Sequence, residues 1–271
     1  MKTFMITALI ASTLIMASLT SFAHDMSVDN NSCELDVNGG ININAQKITF
    51  SKNKQALYSI VENDILVING NNVDLTPSQQ ALLTQYSTSI RAAVPEVKRF
   101  ALDAIDLAID GVNLAFNELL GEGNNVSTDL TTQLSTIRTE VDNEFDVSKD
   151  FYIDENGLGG DDFFGDEFEK RIESAVESTI ENSIGSLLIA IGQELLFSDG
   201  EVNTIETRME AFGDKIEHEM KERGERLEKR SEILCQSAIA INQMEEQLKT
   251  SIDELSDFNF ITVKNVTNSK I

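Results

Sequence analysis

Apolar residues follow three successive rhythms along this chain. From Phe4 to Met16 they form an uncharged, mostly apolar run. It lies behind one basic residue, Lys2, and ahead of Ser21-Phe22-Ala23. A charged start, a short apolar centre and a small-x-small ending are the features of a secretory leader, so cleavage is expected after Ala23. The run is shorter than the ~20 residues that span a bilayer, and no stop-transfer pattern follows. The longest later apolar stretch, Ile184 to Phe197, is broken by Gly185, Gly192, Gln193 and Glu194 and has the length of a buried helix. No transmembrane segment is expected.

The second rhythm has period two. Leu35 and Val37, Ile41 and Ile43, Ile48 and Phe50, Ile65 and Val67, and Val73 and Leu75 alternate with polar residues. Turn formers separate the runs at Asn38-Gly39-Gly40, Ser51 to Lys54, Glu62-Asn63-Asp64 and Asn69 to Asn72. The pattern predicts four to six short strands in an antiparallel meander. One face of that sheet is apolar and needs a cover.

The third rhythm supplies the cover. Thr76-Pro77-Ser78-Gln79 reads as an N-cap, a proline at the first helical position and a capping partner. Leu83, Ile90, Val94 and Val97 follow at helical spacing, with Pro95 expected to kink or restart the helix. Leu102, Ile105, Ile109, Val112, Phe116 and Leu119 then line one side of a helix whose alanines allow close packing, so it is expected to be central. Further helices are expected around Leu130 to Val141 and Phe164 to Leu195. From Thr204 to Leu255 the apolar spacing is a loose heptad, almost wholly charged between Lys215 and Arg230. Such a helix would reach roughly 75 Å, so it either projects as a coiled-coil-like arm or folds back near Gly224. Phe258 to Val263 alternates again and reads as a returning strand.

The expected fold is therefore α+β and predominantly α, a small N-terminal antiparallel meander packed on long amphipathic helices. Its segments are a leader (1–23), a β region (24–76), a first helical region (77–150), an acidic Gly-rich loop (151–165), long helices (166–258) and a tail (259–271).

Composition narrows the functional classes. With 46 acidic against 21 basic residues, the formal charge is −25. Such a surface repels phosphate backbones, so nucleic acid is not an expected partner. The two cysteines, Cys33 and Cys235, have one obvious pairing in an oxidising compartment, and a disulfide between them is expected. A loop of about 200 residues gives roughly 5 kcal/mol in the chain-entropy account.

Chemistry-bearing motifs are scarce. The two histidines, His24 and His218, assemble into no Ser-His-Asp, Cys-His or HExxH spacing. There is no phosphate-binding glycine loop. No enzymatic activity, catalytic residue or cofactor is expected, and paired carboxylates remain the one hydrolytic route the composition leaves open. The loop from Asp154 to Glu167 looks calcium-like, but aligning Gly157 with the sixth EF-hand position puts Tyr152 first and Phe163 twelfth. Both should be carboxylates, so no metal ligands are assigned there. His24, once N-terminal, would offer an amine and an imidazole to Cu²⁺, with only His218 as a second imidazole. The charged stretch Lys215 to Arg230 reads as intrahelical pairs on a solvated face, or as a docking arm or dimer seam.

Several of these segments resemble the YggN-type family of uncharacterised exported bacterial proteins. They are Cys33 opening the strand region, Leu66-Val67-Ile68-Asn69-Gly70, Val73-Asp74-Leu75-Thr76, Gln80, Tyr86, Val94-Pro95-Glu96 and the late Cys235. The resemblance is best over residues 33 to 116. It implies a periplasmic protein and brings no catalytic residues with it. The resulting expectation is a non-enzymatic binding or accessory protein of the cell envelope, meeting a protein partner or itself through amphipathic helices. The alternative is a small-ligand or divalent-metal-binding protein.

Overall fold

The computed structural model describes residues 34–121, 124–145, 150–154, 157–158, 168, 170–179, 181, 185, 189 and 202–264. The fold is α+β and mostly helical, as the sequence predicts. Strands β1 (Glu34–Val37), β2 (Gly40–Ile43), β3 (Lys47–Lys52), β4 (Gln55–Val61), β5 (Ile65–Ile68) and β6 (Asn71–Asn72) precede helices α1 (Pro77–Leu120) and α2 (Asn125–Glu144). Strands β7 (Phe151–Asp154) and β8 (Gly157–Leu158) follow, then a helical stretch, α3 (residues 170–179). The chain continues with α4 (Val202–Ser251), a 3-10 turn (Asp253–Leu255) and β9 (Ile261–Lys264).

The hairpins form where turn chemistry asks for them. Asn53 and Lys54 both take left-handed φ, 52° and 63°, between the paired residues Lys52 and Gln55. Asn69 and Gly70 do the same, at 51° and 79°. Two consecutive left-handed residues twist the ribbon in the hand that strands prefer. The main antiparallel sheet runs β6-β5-β4-β3-β2-β7-β8. Its inner row of Ile41, Ile43, Ile48, Phe50, Tyr58, Ile60 and Leu66 is buried. The cover is the first half of α1, through Leu83, Tyr86, Ile90 and Val94, with Ile241, Met244 and Leu248 of α4 and Ile252 just after it beside them.

Four expectations need correction. First, β1 leaves the meander and pairs antiparallel with β9, Glu34 opposite Lys264 and Val37 opposite Ile261. Second, part of the expected acidic loop is sheet. Ile153 lies opposite Ile41 and Phe151 opposite Ile43, extending the sheet beyond β2. Phe151 is buried against Phe145, ring centroids 5.1 Å apart, and that apolar contact outweighs the surrounding aspartates.

Third, α1 does not restart at Pro95, which lies inside one continuous helix. A proline removes one ladder hydrogen bond, and packing on both sides holds the helix together across the gap. Fourth, α4 does not fold back at Gly224; it is continuous over 50 residues and lies along α1 from Lys215 to Ser251. The capping box is as expected: Gln79 N donates to Thr76 Oγ1 at 3.3 Å, and Thr76 N donates to Gln79 Oε1 at 2.8 Å.

Candidate functional site

Two features rise from this framework, and α4 builds both. The first is a buried carboxylate. Ile241, Met244, Glu245 and Leu248 fall on one stripe of α4, so Glu245 faces the core and is only 3% exposed. Its two oxygens each accept a backbone N–H, from Phe260 and from Ile261, both at 2.9 Å. The Tyr86 hydroxyl donates to Oε1 at 3.4 Å. Asn242 Nδ2 donates to Ile261 O at 2.6 Å, and Lys249 Nζ to Asn259 Oδ1 at 3.3 Å. Side chains of α4 therefore hold the segment leading into β9.

Burial pushes the Glu245 carboxyl above the usual range, and the two N–H donors pull it partly back. Burial also raises Tyr86 and Tyr58 well above the ordinary phenol, with the nearby Glu245 charge acting in the same direction. A raised carboxylic acid is what a two-carboxylate hydrolase needs, but Glu245 lines neither the cleft beside His218 nor the one between α2 and α3. Its oxygens are taken up by the backbone of the last strand, which is a positioning role. The signal for it in the sequence is a carboxylate standing on an otherwise apolar stripe.

The second feature is the seam between α1 and α4. Gln79 donates to Ser251 O, Tyr86 meets Glu245, and three ion pairs follow: Asp103 with Arg230 at 2.8 Å, Asp110 with Arg223, and Glu118 with Lys215 at 2.5 Å. One antiparallel register thus runs from Gln79 to Glu118 of α1 and from Ser251 back to Lys215 of α4. On the other side of α1, Arg138 of α2 grips Asp106 with two hydrogen bonds of 2.6 and 3.1 Å, and Lys98 pairs with Asp142 at 2.8 Å. Of the six lysines and arginines from Lys215 to Arg230, Lys215, Arg223 and Arg230 reach across to α1, and Arg226 pairs with Glu222 within the helix. A long charged segment on a single helix gives no sign of this, because the partners lie about a hundred residues earlier.

Between the seam helices lies an open cleft of about 610 Å³, bordered by Asp110, Asn117, Glu118, Lys215, His218 and Glu219. A smaller one of about 270 Å³ lies between α2 and α3, at Asp129, Thr132, Gln133, Ser178 and Thr179. His218 is exposed at the larger cleft, and no group of three metal-ligating residues occurs among the described residues. His24 and most of the acidic segment after Asp154 lie outside the described residues. So does Cys33. Cys235 is buried on α4, and no cysteine among the described residues is free.

Along the distal half of α1, Leu102, Ile105, Ile109, Val112, Leu114 and Phe116 are only half-buried, although α2 and α4 flank them. No described helix is long and apolar enough to cross a membrane.

Neither a curated protein nor a solved structure matches the chain. A family model described as a protein of unknown function, DUF2884, matches residues 33–261. That span takes in every strand and helix described above except the last residues of β9, and it extends well beyond the stretch where the sequence resemblance is best. The chain belongs to this DUF2884 family.

Proposed function

We propose that this is an exported, periplasmic, non-enzymatic binding or accessory protein of the cell envelope, which takes a partner protein segment on the helical half of the molecule. The observation that carries this reading is the half-buried apolar side of α1 between Leu102 and Phe116. Apolar surface that two neighbouring helices leave partly open is what a docking helix fills. A formal charge of −25 adds the second requirement, that the segment be cationic as well as apolar.

The test is fluorescence anisotropy with a labelled cationic amphipathic peptide and an anionic peptide of the same apolar pattern. The cationic peptide should bind, more weakly at high salt, and Ile109→Ser should weaken it with the fold retained by circular dichroism. Equal binding of both peptides, or of neither, would end the reading. Cross-linking in envelope extract then identifies the natural partner.

The alternative, a small-ligand protein, draws on the cleft beside His218. A melting-temperature screen that includes micromolar Cu²⁺ and millimolar Ca²⁺ separates it, because a ligand that binds only the native state raises the transition.

The leader and a Cys33–Cys235 disulfide belong to the same proposal. The segment entering β9 runs back along α4, from Lys249 at Asn259 to Asn242 at Ile261. Continuing that course brings Lys264, and Glu34 opposite it, towards the level of Cys235. A peptide map with a linked pair that separates on reduction is the expected result.

A further inference from the structure

We propose that the distal half of the α1–α4 seam is an ion-latched opening, hinged at the level of Pro95, that uncovers the apolar side of α1 while the sheet end stays closed. It concerns the regulation of the face assigned above and rests on that reading for its use, though not for its test.

The two ends of the seam are closed by different forces. At the sheet end, Leu83, Tyr86, Ile90 and Val94 lie in the main core with Met244, Leu248 and Ile252. Beyond Pro95, the apolar residues are half-buried, and the contacts that cross to α4 include the three ion pairs Asp103–Arg230, Asp110–Arg223 and Glu118–Lys215. Every partner in these rungs is between 35% and 47% exposed, so each is open to screening by salt.

Pro95 stands at the boundary between the two regimes. Having no N–H, it leaves the carbonyl one turn earlier, on Arg91, without its ladder partner, and the helix bends most easily there. The register places Pro95 near Ala238 of α4, close to buried Cys235. The hinge therefore lies where α4 is still tied to the core. The hydrogen bonds around Glu245 and Asn242, which hold the last strand to α4, all lie on the closed side.

Amide hydrogen exchange read by mass spectrometry on the purified protein, in 10 mM and in 500 mM NaCl, tests the latch. Peptides from 101–118 and 215–230 should exchange about tenfold faster at high salt, the combined effect of three exposed pairs in the middle of their usual range. Peptides from 79–92 and 241–251 should change less than twofold.

Two variants sharpen the result. A Cβ at Gly111 would sit 3.7 Å from Met220 Sδ, so the two positions face each other across the seam, and Gly111→Cys with Met220→Cys joined by a short bifunctional thiol reagent should abolish the salt response. Asp103→Arg alone should speed distal exchange at low salt, and adding Arg230→Asp should reverse most of that rise. An equal response at both ends, no distal response, or a charge swap that restores nothing would overturn the latch. Since no partner is present, such a failure leaves the peptide-binding test of the preceding section untouched.

Discussion

Residues 79–94 and 101–117 of α1 belong to one helix and face the same partner helix, and the second stretch is the more apolar in sequence, yet it is the first that is closed into the core. The first stretch has a sheet beneath it. Tyr86 is fully buried, with the Phe50 ring stacked 6.0 Å away and the Glu245 carboxylate at its hydroxyl. Among the described residues the second stretch lies between helices α2 and α4, with Leu102 and Ile105 at the edge of the core and ion pairs crossing to both neighbours. A sheet presents a broad, continuous apolar surface, whereas two helices flanking a third leave part of its circumference open. Apolar residues at helical spacing therefore give a closed core at one end and a half-open seam at the other.

Four experiments break or sharpen that contrast. Phe50→Ala should cost about 3–5 kcal/mol in a urea titration, because it empties the centre of the aromatic cluster, whereas Ile109→Ala in the distal half should cost about 1 kcal/mol. Equal losses would show that the halves share one kind of core.

Glycines make the next pair. A Cβ on Gly40 would run into Ser51 Oγ and lie 2.5 Å from the Tyr152 hydroxyl, so Gly40→Ala should destabilise by about 1–3 kcal/mol. At Gly111 a Cβ meets only Met220 Sδ at ordinary contact distance, and α1 gains helix propensity. Gly111→Ala should therefore stabilise by about 0.5–1 kcal/mol. Melting temperatures that move in the same direction for both would sink the comparison.

Glu245→Gln leaves one of the two backbone N–H groups facing an amide N–H, at a cost of about 1–3 kcal/mol. Its pH dependence has a definite sign. The folded state raises this carboxyl, so its stabilising contribution is complete below the unfolded value, about 4.3, and fades as pH rises through the folded value. The stability difference between the parent and Glu245→Gln should be largest near pH 4 and shrink towards pH 7. A difference that grows with pH would mean that the N–H donors outweigh burial.

The smallest effect belongs to the seam. Asp103→Asn should cost less than about 1 kcal/mol at low salt and nothing measurable in 1 M NaCl. A cost that persists in salt would place Asp103 in a buried network rather than an exposed rung.

Local chemistry was legible wherever neighbours in sequence settle it. The capping box at Thr76, the hairpin at Asn69-Gly70 and the inward alternation of Ile41, Ile43, Ile48 and Phe50 formed as read, whereas β5 turns the other way, burying Leu66 and leaving Ile65 and Val67 half-buried. The Phe151–Asp154 strand was obscured because its acidic neighbours read as a loop, while its reason for pairing lies on β2, a hundred residues away. Glu245 was hidden among 46 acidic residues, and only its place on the apolar stripe distinguishes it. The charged stretch of α4 was visible as charge, but the direction of its pairing was not.

Periodicity, caps and turn residues thus determined which segments are strands and helices, because those preferences act over a few residues of chain. Only the tertiary structure decided which ends meet. It sent β1 to β9, laid α4 along the whole of α1, and divided one continuous helix into a buried half and a half-open one. Those choices depend on surfaces brought together from distant parts of the chain, and no local pattern records which apolar face will meet which.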